Sequence, residues 1–224
     1  MSTRTKDVLK AFYDALYTAL GPQHWWPGDT PLEVIVGAIL TQNTAWKNVE
    51  RAIANLRAAG CLDWARLRDI ETADLAELIR PAGTFNVKTK RLKVFVAWLW
   101  ERYDGDLDRM FATRTATLRE ELLAIPGIGR ETADAILLYA GEKPSFVIDA
   151  YTFRILRRHG VVDEDADYEL LKELFEANLP AEPALFNEYH ALLVAVGKTW
   201  CRPKARCEGC PLEAFEHHLE YDDE

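Results

Sequence analysis

Residues 122–136 read LLAIPGIGRETADAI, in which two apolar helical segments are separated by a turn from Pro126 to Gly129. Gly127 and Gly129 have no Cβ atom, so the backbone can bend sharply and direct amide donors towards an anion at the start of the second helix. A DNA phosphate is the natural anion, and Arg130 would add a charge-assisted contact. Such contacts hold DNA without reading its sequence. The alternative is an ordinary turn between two helices.

The charge of the chain argues at first against a nucleic-acid partner, because its 224 residues carry a formal net charge of -9 and phosphate binding depends on Lys and Arg. The acids are concentrated at 161–182 and 213–224, whereas 80–102 has six basic residues against the single acid Glu101. This segregation permits a basic DNA-binding face, although ordinary solvated helix faces explain it equally well. No apolar run is long enough to span a membrane and no secretory signal is present, so we expect a cytoplasmic protein.

Apolar residues recur at spacings of three and four along most of the chain, which predicts a mostly α-helical protein. Thr30, Pro31 and Glu33 form a helix-start signature with an N-cap, a first-position proline and a capping-box acid, so a helix should run from about Pro31 to Gln42. Two further helices are predicted, each closed by a C-cap glycine, at 44–59 before Gly60 and at 150–158 before Gly160. Only 145–148 resembles a strand.

Asp149 follows the glycine-rich turn in the sequence. The two features together indicate a protein family more specifically than the turn does alone. The turn, Asp149 and the sequence around them resemble the helix-hairpin-helix (HhH-GPD) DNA glycosylases of the endonuclease III superfamily. The resemblance implies an all-α, two-domain endonuclease III-like fold, with a helical barrel at 24–143, a second domain formed by 1–23 and 144–224, and DNA in the cleft between them. It also implies that Asp149 is catalytic, since a carboxylate can stabilise positive charge on the sugar and orient water. Alternatively, Asp149 only caps the next helix, and both roles are compatible.

Glu131 stands where bifunctional members of that superfamily have a lysine that attacks the sugar and then permits strand cleavage. A carboxylate cannot form an imine, so the resemblance implies base excision without the lyase step. Lys88, Lys90 and Lys198 are conceivable substitutes, although nothing in the local sequence favours one of them. Glu131 either orients water or a sugar hydroxyl, or is simply an exposed acid in the first turn of a helix.

Four segments resemble a narrower branch, the type III 3-methyladenine DNA glycosylases: Trp25 to Gly28, Leu40 to Thr44, Arg80 to Leu92 and Glu131 to Ile136. The resemblance implies that Trp25, Trp26, Pro27 and Trp46 wall a pocket for the flipped base. Aromatic faces stack on any base and favour a cationic alkylated purine. The alternative is ordinary core packing of the tryptophans.

Several positions of the resemblance bear on DNA distortion and on lesion choice. Gln42 and Asn43 match residues that fill the gap left by an extruded base, or else form a polar helix end. Thr84 stands where a larger intercalating side chain is usual, and Phe85 would compensate. Leu192 replaces a basic pocket residue of the alkylation branch.

The C-terminal segment with Cys201, Cys207 and Cys210 resembles the four-cysteine iron–sulfur loop of the superfamily, but it is incomplete. Its first gap has five residues instead of six, and Glu216 takes the place of the fourth cysteine. A 4Fe–4S cluster normally takes four thiolates, so His217 or His218 would have to complete the set. Zinc on mixed Cys and His ligands and a loop without metal are the alternatives.

These observations predict a monofunctional DNA glycosylase of base excision repair, acting as a monomer on double-stranded DNA with a damaged base. An alkylated purine such as 3-methyladenine is the expected lesion. The alternatives are a bifunctional glycosylase/AP lyase and a noncatalytic lesion-binding protein.

Overall fold

The structure is a computed structural model that describes residues 3–218, and over this range the chain is helical without a β-strand. Its α-helices are α1 (Thr3–Leu20), α2 (Pro31–Leu40), α3 (Trp46–Ala58), α4 (Trp64–Asp69), α5 (Thr72–Leu78), α6 (Phe85–Tyr103), α7 (Leu107–Ala112), α8 (Thr115–Leu123), α9 (Arg130–Ala135), α10 (Ala150–Arg158), α11 (Tyr168–Asn178) and α12 (Pro183–Thr199). A 3₁₀ turn spans Arg80–Ala82, and α9 continues into a π-helical segment at Ile136–Ala140. The predicted all-α class is confirmed, and segment 145–148, the one stretch that resembled a strand, is extended but pairs with no other strand among the described residues.

The chain divides into two compact units, one formed by Trp26–Lys143 and the other by Met1–Trp25 together with Pro144–Glu224. Nothing in the sequence between them has the composition of a flexible linker. The division therefore reflects which helices pack together and not a tether.

The unit Trp26–Lys143 is organised around α2, whose residues 33–40 are all buried. The N-terminus of α2 is capped as predicted, because Thr30 Oγ1 accepts a 3.2 Å hydrogen bond from the Glu33 amide. Glu33 does not close the predicted capping box on Thr30, however. Its carboxylate accepts from the Asp29 amide at 2.8 Å and pairs with Arg57. The acid thus ties the helix start to α3.

The ends of α2 and α3 differ from the prediction. The first helix stops at Leu40 instead of Gln42, and the next begins at Trp46 instead of residue 44. The reason lies in the backbone: Asn43 has a φ of +55°, in the left-handed region that no right-handed helix continues through. Gln42 and Asn43 therefore lie in a turn.

The other unit has an aromatic core. Phe146 and Phe175 stack with ring centroids 3.9 Å apart, and Phe186 and Tyr189 approach them edge-on. The Tyr189 hydroxyl donates to the Leu9 carbonyl at 2.8 Å, which fixes α1 against α12. The C-cap glycines after α3 and α10 are as predicted, since Gly60 and Gly160 both have positive φ.

Within residues 3–218, none of the helices combines the length and the apolar character needed to cross a lipid bilayer.

Candidate active site and DNA-binding hairpin

The glycine-rich turn joins α8 to α9, and only one of its glycines is needed for its conformation. Gly127 has a φ of +92°, and a Cβ atom there would lie 2.5 Å from Cγ of Arg91. Gly129 is the N-cap of α9 with an ordinary extended backbone, and a Cβ atom there would meet nothing within 4 Å. The lack of a Cβ atom is therefore required by the backbone at Gly127 but not at Gly129. The side chain of Arg91 fills the space under Gly127.

A buried ion pair joins the two helices of this hairpin. Arg119 on α8 donates to Asp134 on α9 through Nε at 2.8 Å and Nη2 at 3.1 Å. The Asp134 side chain is fully buried and Arg119 is 18% exposed. Two parallel charge-assisted bonds fix both the distance and the angle between the helices.

Gln42 is held against the same hairpin. Its Nε2 donates to the Gly127 carbonyl at 3.1 Å and to Thr132 Oγ1 at 2.9 Å, and its Oε1 accepts from Nη1 of Arg91. Both ends of the amide are thus used within the protein, and the turn after α2 is locked to the hairpin. Asn43, next to it, is exposed.

Arg130 and Glu131 are the first two residues of α9, and both are exposed. This is where a helix exposes amide donors and favours anions. Arg130 is therefore accessible to a phosphate. Glu131 fits the interpretation as a solvent-exposed acid of a first turn, and its exposure equally leaves it accessible to substrate.

An aromatic cluster lies at the start of the unit Trp26–Lys143. Trp26 meets Trp46 edge-to-face with centroids 5.1 Å apart, and Tyr139 lies 4.9 Å from Trp26 on a tilted plane. A Cβ atom on Gly37 would come within 3.1 Å of the Trp46 ring, so α2 and this ring pack tightly. The Trp46 indole Nε1 is buried and has no hydrogen-bond acceptor among the described residues. Tyr139 is a member that the sequence did not suggest.

The other residues expected at the base pocket do not belong to the cluster of Trp26, Trp46 and Tyr139. Pro27 is exposed, whereas Trp25 belongs to the other unit, where the Lys198 ammonium lies 5.4 Å from the centre of its ring. Leu192 is fully buried on α12. The structure thus groups Trp26 with Trp46 in one unit and places Trp25 in the other.

The proposed wedge position precedes α6. Thr84 is exposed, with a left-handed φ of +40°, and Phe85 lies under the guanidinium of Arg80 at 5.0 Å. Lys88, one turn later, is buried, and its ammonium donates to the Ala82 carbonyl at 2.7 Å. Burial, with the nearby charge of Arg91, lowers the pKa of Lys88.

Asp149 is the N-cap of α10. Its Oδ1 accepts from the Thr152 amide at 2.8 Å and from the Thr152 hydroxyl at 2.9 Å. Its Oδ2 lies 3.6 Å from Nε2 of His190 on α12, and both side chains are largely buried. One carboxylate oxygen is thus engaged by the helix and the other faces an imidazole.

The electrostatic balance at Asp149 favours the charged form. Burial pushes the pKa of Asp149 upwards, but the neighbouring His190 and the two donors of Thr152 together hold it below its ordinary value. A buried carboxylate that stays ionised can stabilise a nearby cation or accept a proton from water.

The three C-terminal cysteines line one cavity with His217. Arg158, which is buried, donates from Nη1 to the Cys201 sulfur at 3.3 Å and to the Arg202 carbonyl at 2.6 Å, and from Nη2 to the Pro203 carbonyl at 2.6 Å. Over residues 3–218, no three or more His, Cys, Asp or Glu side chains are arranged to hold a metal ion. Among these described residues, no group is assembled for either the zinc or the cluster alternative.

Sequence reasoning missed four residues that organise these sites: Arg91, Arg119, Tyr139 and His190. His190 could have been noticed as a lone histidine within the apolar stretch of α12. The spacing of Arg119 and Asp134 crosses the turn, so no helical periodicity would have paired them. The roles of Arg91 and Tyr139 arise from packing between helices distant in sequence.

Comparisons with known proteins agree on one family. The family model described as "HhH-GPD superfamily base excision DNA repair protein" matches residues 36–181. A Methanocaldococcus jannaschii protein, named as a candidate DNA repair glycosylase, is 49% identical over 93% of this chain and 96% of its own length. The crystal structure of H. pylori 3-methyladenine DNA glycosylase bound to 1,N6-ethenoadenine is 31% identical with a TM-score of 0.73, over 87% of this chain and 97% of that one. An endonuclease III–DNA complex is 20% identical with a TM-score of 0.79, over 95% of this chain and 94% of that one, which shows the shared fold.

Proposed function

Because the chain belongs to the HhH-GPD superfamily of base excision DNA repair proteins, we propose that it is a DNA glycosylase that removes an alkylated purine by hydrolysis and leaves the DNA strand intact. One observation carries this proposal: Asp149 is a largely buried carboxylate whose Oδ1 accepts from Thr152 and whose Oδ2 lies 3.6 Å from Nε2 of His190, and these neighbours lower its pKa. A residue that only capped a helix would not need the second oxygen to face an imidazole.

Asp149 acts on the sugar in this proposal. As the bond between C1′ and the base nitrogen breaks, the base leaves with the electron pair and positive charge develops on the sugar. The carboxylate stabilises that charge and accepts a proton from water, whose oxygen bonds to C1′. A cationic methylated purine is neutralised by that electron pair and leaves without gaining a proton, so the proton from water passes through Asp149 to the solvent.

In this proposal the hairpin formed by α8 and α9 binds the DNA backbone. The exposed Arg130 and the amides at the start of α9 bind a phosphate, and the ion pair of Arg119 with Asp134 keeps that helix start in place. Gln42 and Asn43 face the gap left by the extruded base, and Phe85 serves as the wedge. We infer that double-stranded DNA is the partner.

The absence of strand cleavage follows from the available amines. Glu131 replaces the lysine that the bifunctional members have, and it cannot form an imine. Lys88 is buried against the Ala82 carbonyl, so its amine is not free to attack a sugar. Lys198 is exposed and faces the Trp25 ring. Lys90 is exposed, and although burial and Arg91 lower the pKa of Lys88, its amine is held inside the protein, so we propose that none of these lysines replaces the missing nucleophile.

An alkylated purine is the substrate class that the aromatic residues favour. The indoles of Trp26 and Trp46 offer electron-rich faces that attract a cationic methylated purine by about 0.5 to 2 kcal/mol over its neutral parent. The H. pylori relative was crystallised with a modified adenine. Most of the selectivity would come from the lesion itself, whose glycosidic bond is already weakened.

A panel of duplexes tests the proposal, each with one lesion: 3-methyladenine, 1,N6-ethenoadenine, hypoxanthine, uracil opposite guanine or thymine opposite guanine. We expect 3-methyladenine to be released faster than uracil, and Asp149→Asn to abolish release while DNA affinity stays within a few-fold. Uracil release without any activity on alkylated DNA would disprove the substrate class. Full activity of Asp149→Asn would disprove the catalytic role of this carboxylate.

Borohydride trapping on abasic DNA tests the absence of the lyase step. Endonuclease III, of which a trapped covalent DNA intermediate has been crystallised, is the positive control. We expect no covalent adduct with this protein under conditions that trap endonuclease III. If an adduct forms, its disappearance in Lys198→Met or Lys88→Met would identify the amine and disprove the monofunctional assignment.

A further inference from the structure

The extended segment 145–148 leads directly into Asp149, and all four of its residues are buried. Buried backbone amides need hydrogen-bond acceptors. Within residues 3–218 no other strand pairs with this segment. Its amides must therefore find acceptors outside a β-sheet.

Side chains on one face of α11 provide these acceptors. Tyr168, Lys172 and Glu176 are spaced by four residues, so they lie one above the other along the helix. The Phe146 amide donates to Oε1 of Glu176 at 2.8 Å, and the Ile148 amide donates a longer bond of 3.4 Å to the Tyr168 hydroxyl. Amides two residues apart in an extended chain point to the same side, so a single helix face reaches both.

The ammonium of Lys172 completes this contact. It donates to Ser145 Oγ at 2.7 Å, and it pairs with the same Glu176 oxygen that accepts from the Phe146 amide. The Lys172 side chain is buried, whereas that of Glu176 is partly exposed. Lys172 thus keeps the Glu176 carboxylate turned towards the segment and away from water.

These polar contacts orient the segment more than they stabilise it. The segment is already held in the core by apolar packing, since Phe146 stacks on Phe175 with centroids 3.9 Å apart. Apolar burial is not directional, and a buried ion pair is often no more stabilising than apolar residues of similar size. Hydrogen bonds do depend on direction. Those to the Phe146 and Ile148 amides fix the peptide planes that lead into Asp149.

The direction of these peptide planes affects the Asp149 carboxylate. Asp149 has an extended backbone, and its Oδ1 is fixed by capping α10 through Thr152. With that oxygen fixed, the path by which the chain enters Asp149 determines where Oδ2 points. Oδ2 lies 3.6 Å from Nε2 of His190, so a small shift of the segment would change this distance.

We propose that Glu176 is a positioning residue for base release, supported by Lys172. It acts through Asp149 and not on the sugar, because it fixes segment 145–148 and thereby the orientation of the carboxylate. This inference rests on the proposed function, in which Asp149 is the catalytic group.

Substitution of Glu176 in the full chain tests the inference. In Glu176→Leu the Phe146 amide loses its acceptor, so its hydrogen exchange should be faster than in the wild type. Single-turnover release of 3-methyladenine at saturating DNA should slow about ten- to a hundredfold, because a small misplacement of a catalytic group is costly in rate. The DNA concentration for half-saturation should not change. Glu176→Gln keeps an oxygen acceptor at the same position and should release the base at nearly the wild-type rate.

Lys172→Met keeps the test valid if Glu176→Leu does not fold. Without the ammonium, the partly exposed Glu176 side chain can turn towards water. This variant should therefore also slow base release without weakening DNA binding. Glu173→Leu is the matched control, because Glu173 is an exposed acid of the same helix. It should keep both the wild-type rate and the wild-type exchange of the Phe146 amide.

Leu16→Ala separates positioning from stability. Leu16 is fully buried on α1 of the same unit, so its truncation should lower the melting temperature but keep the rate per folded molecule. The inference is overturned if Glu176→Leu slows release no more than Leu16→Ala at equal folded protein. It is also overturned if Glu176→Gln loses as much rate as Glu176→Leu, or if exchange of the Phe146 amide is unchanged in Glu176→Leu.

Hydrogen exchange is measured without substrate, so it does not depend on activity. A failure of the contact between α11 and the segment is therefore distinguishable from a failure of the proposed function. Wild-type protein that releases no base from any of the lesion duplexes would disprove the proposed function, and the positioning role with it.

Discussion

Nε2 of His190 lies 3.6 Å from Oδ2 of Asp149, although the two residues are on different helices and 41 positions apart in the chain. Asp149 is fixed by capping α10, and His190 comes from the buried face of α12. Packing of these two helices brings a titratable group to the second oxygen of the proposed catalytic carboxylate. The charge of Asp149 therefore depends on His190. This histidine can be substituted without altering the hydrogen bonds by which Asp149 caps α10.

His190→Gln should move the acid limb of base release to higher pH. Burial raises the pKa of Asp149 and His190 is the main opposing influence, so its removal lets that pKa rise. A carboxyl with a lowered folded-state pKa stabilises the fold above its unfolded pKa, and this contribution is lost as pH falls through the folded value. In the variant, both rate and melting temperature should therefore begin to fall at a higher pH than in the wild type.

Single-turnover base release between pH 4 and 8 measures this shift. The exposed His24, which has a left-handed φ of +52°, provides the control His24→Asn, since asparagine tolerates that conformation. The control should leave the profile unchanged. An unchanged profile in His190→Gln as well would mean that Thr152 and the helix N-terminus alone keep Asp149 ionised.

Gly127→Ala should destabilise the protein more than Gly129→Ala. The first change forces alanine into a φ of +92° and places its methyl group 2.5 Å from Cγ of Arg91, whereas the second meets no atom within 4 Å. Backbone strain of this kind costs about 1 to 3 kcal/mol. Displacement of Arg91 should also release Gln42 and weaken DNA binding. Denaturant unfolding and DNA titration of both variants check this, and equal losses would contradict the role assigned to Gly127.

The sequence was sufficient for the parts of the fold that depend on local chemistry. Thr30 and Gly60 were recognised because capping involves residues close in sequence. The turn at Pro126 to Gly129 was recognised for the same reason. The predicted capping box did not form, because the Glu33 carboxylate pairs with Arg57, a residue distant in the sequence.

The candidate site was harder to predict from the sequence, because its contacts join residues that are far apart in the chain. Gln42 was noticed as a polar helix end, but its bonds to Thr132 and Arg91 span 90 and 49 residues. The tryptophans were noticed as a motif, yet the sequence could not show that Trp26 and Trp46 meet edge-to-face. Such pairings follow from helix packing, and no periodicity of a single helix contains them.

Arg119→Met should cost about 3 to 5 kcal/mol of the free energy of unfolding. The change removes the paired cation of a fully buried carboxylate, Asp134. Arg109→Met is the matched control, because the partner of Arg109 is Asp104, a 75% exposed residue, and exposed pairs contribute about 1 kcal/mol or less. Adding Asp134→Asn to Arg119→Met should restore part of the loss. Similar destabilisation by the two arginine variants would show that the buried pair does not brace the hairpin.

Trp46→Ala should slow the release of 3-methyladenine more than tenfold. The Trp46 ring packs on Trp26 and covers Gly37, so its removal takes away one stacking surface and also the support of another. A cationic purine gains about 0.5 to 2 kcal/mol on an indole, which corresponds to roughly a two- to thirty-fold effect, and the loss of support for Trp26 adds to it. Trp46→Phe keeps a ring and should lose less.

The comparison of lesions separates pocket chemistry from general damage to the fold. Trp98, which packs on Phe95 and Tyr103, provides the control Trp98→Ala, and this variant should keep its rate after correction for folded protein. Because the attraction acts on positive charge, Trp46→Ala should slow the release of 3-methyladenine more than that of neutral hypoxanthine, measured in the same single-turnover assay. Equal slowing of both bases would mean that Trp46 supports the architecture of the site and does not select a cationic base.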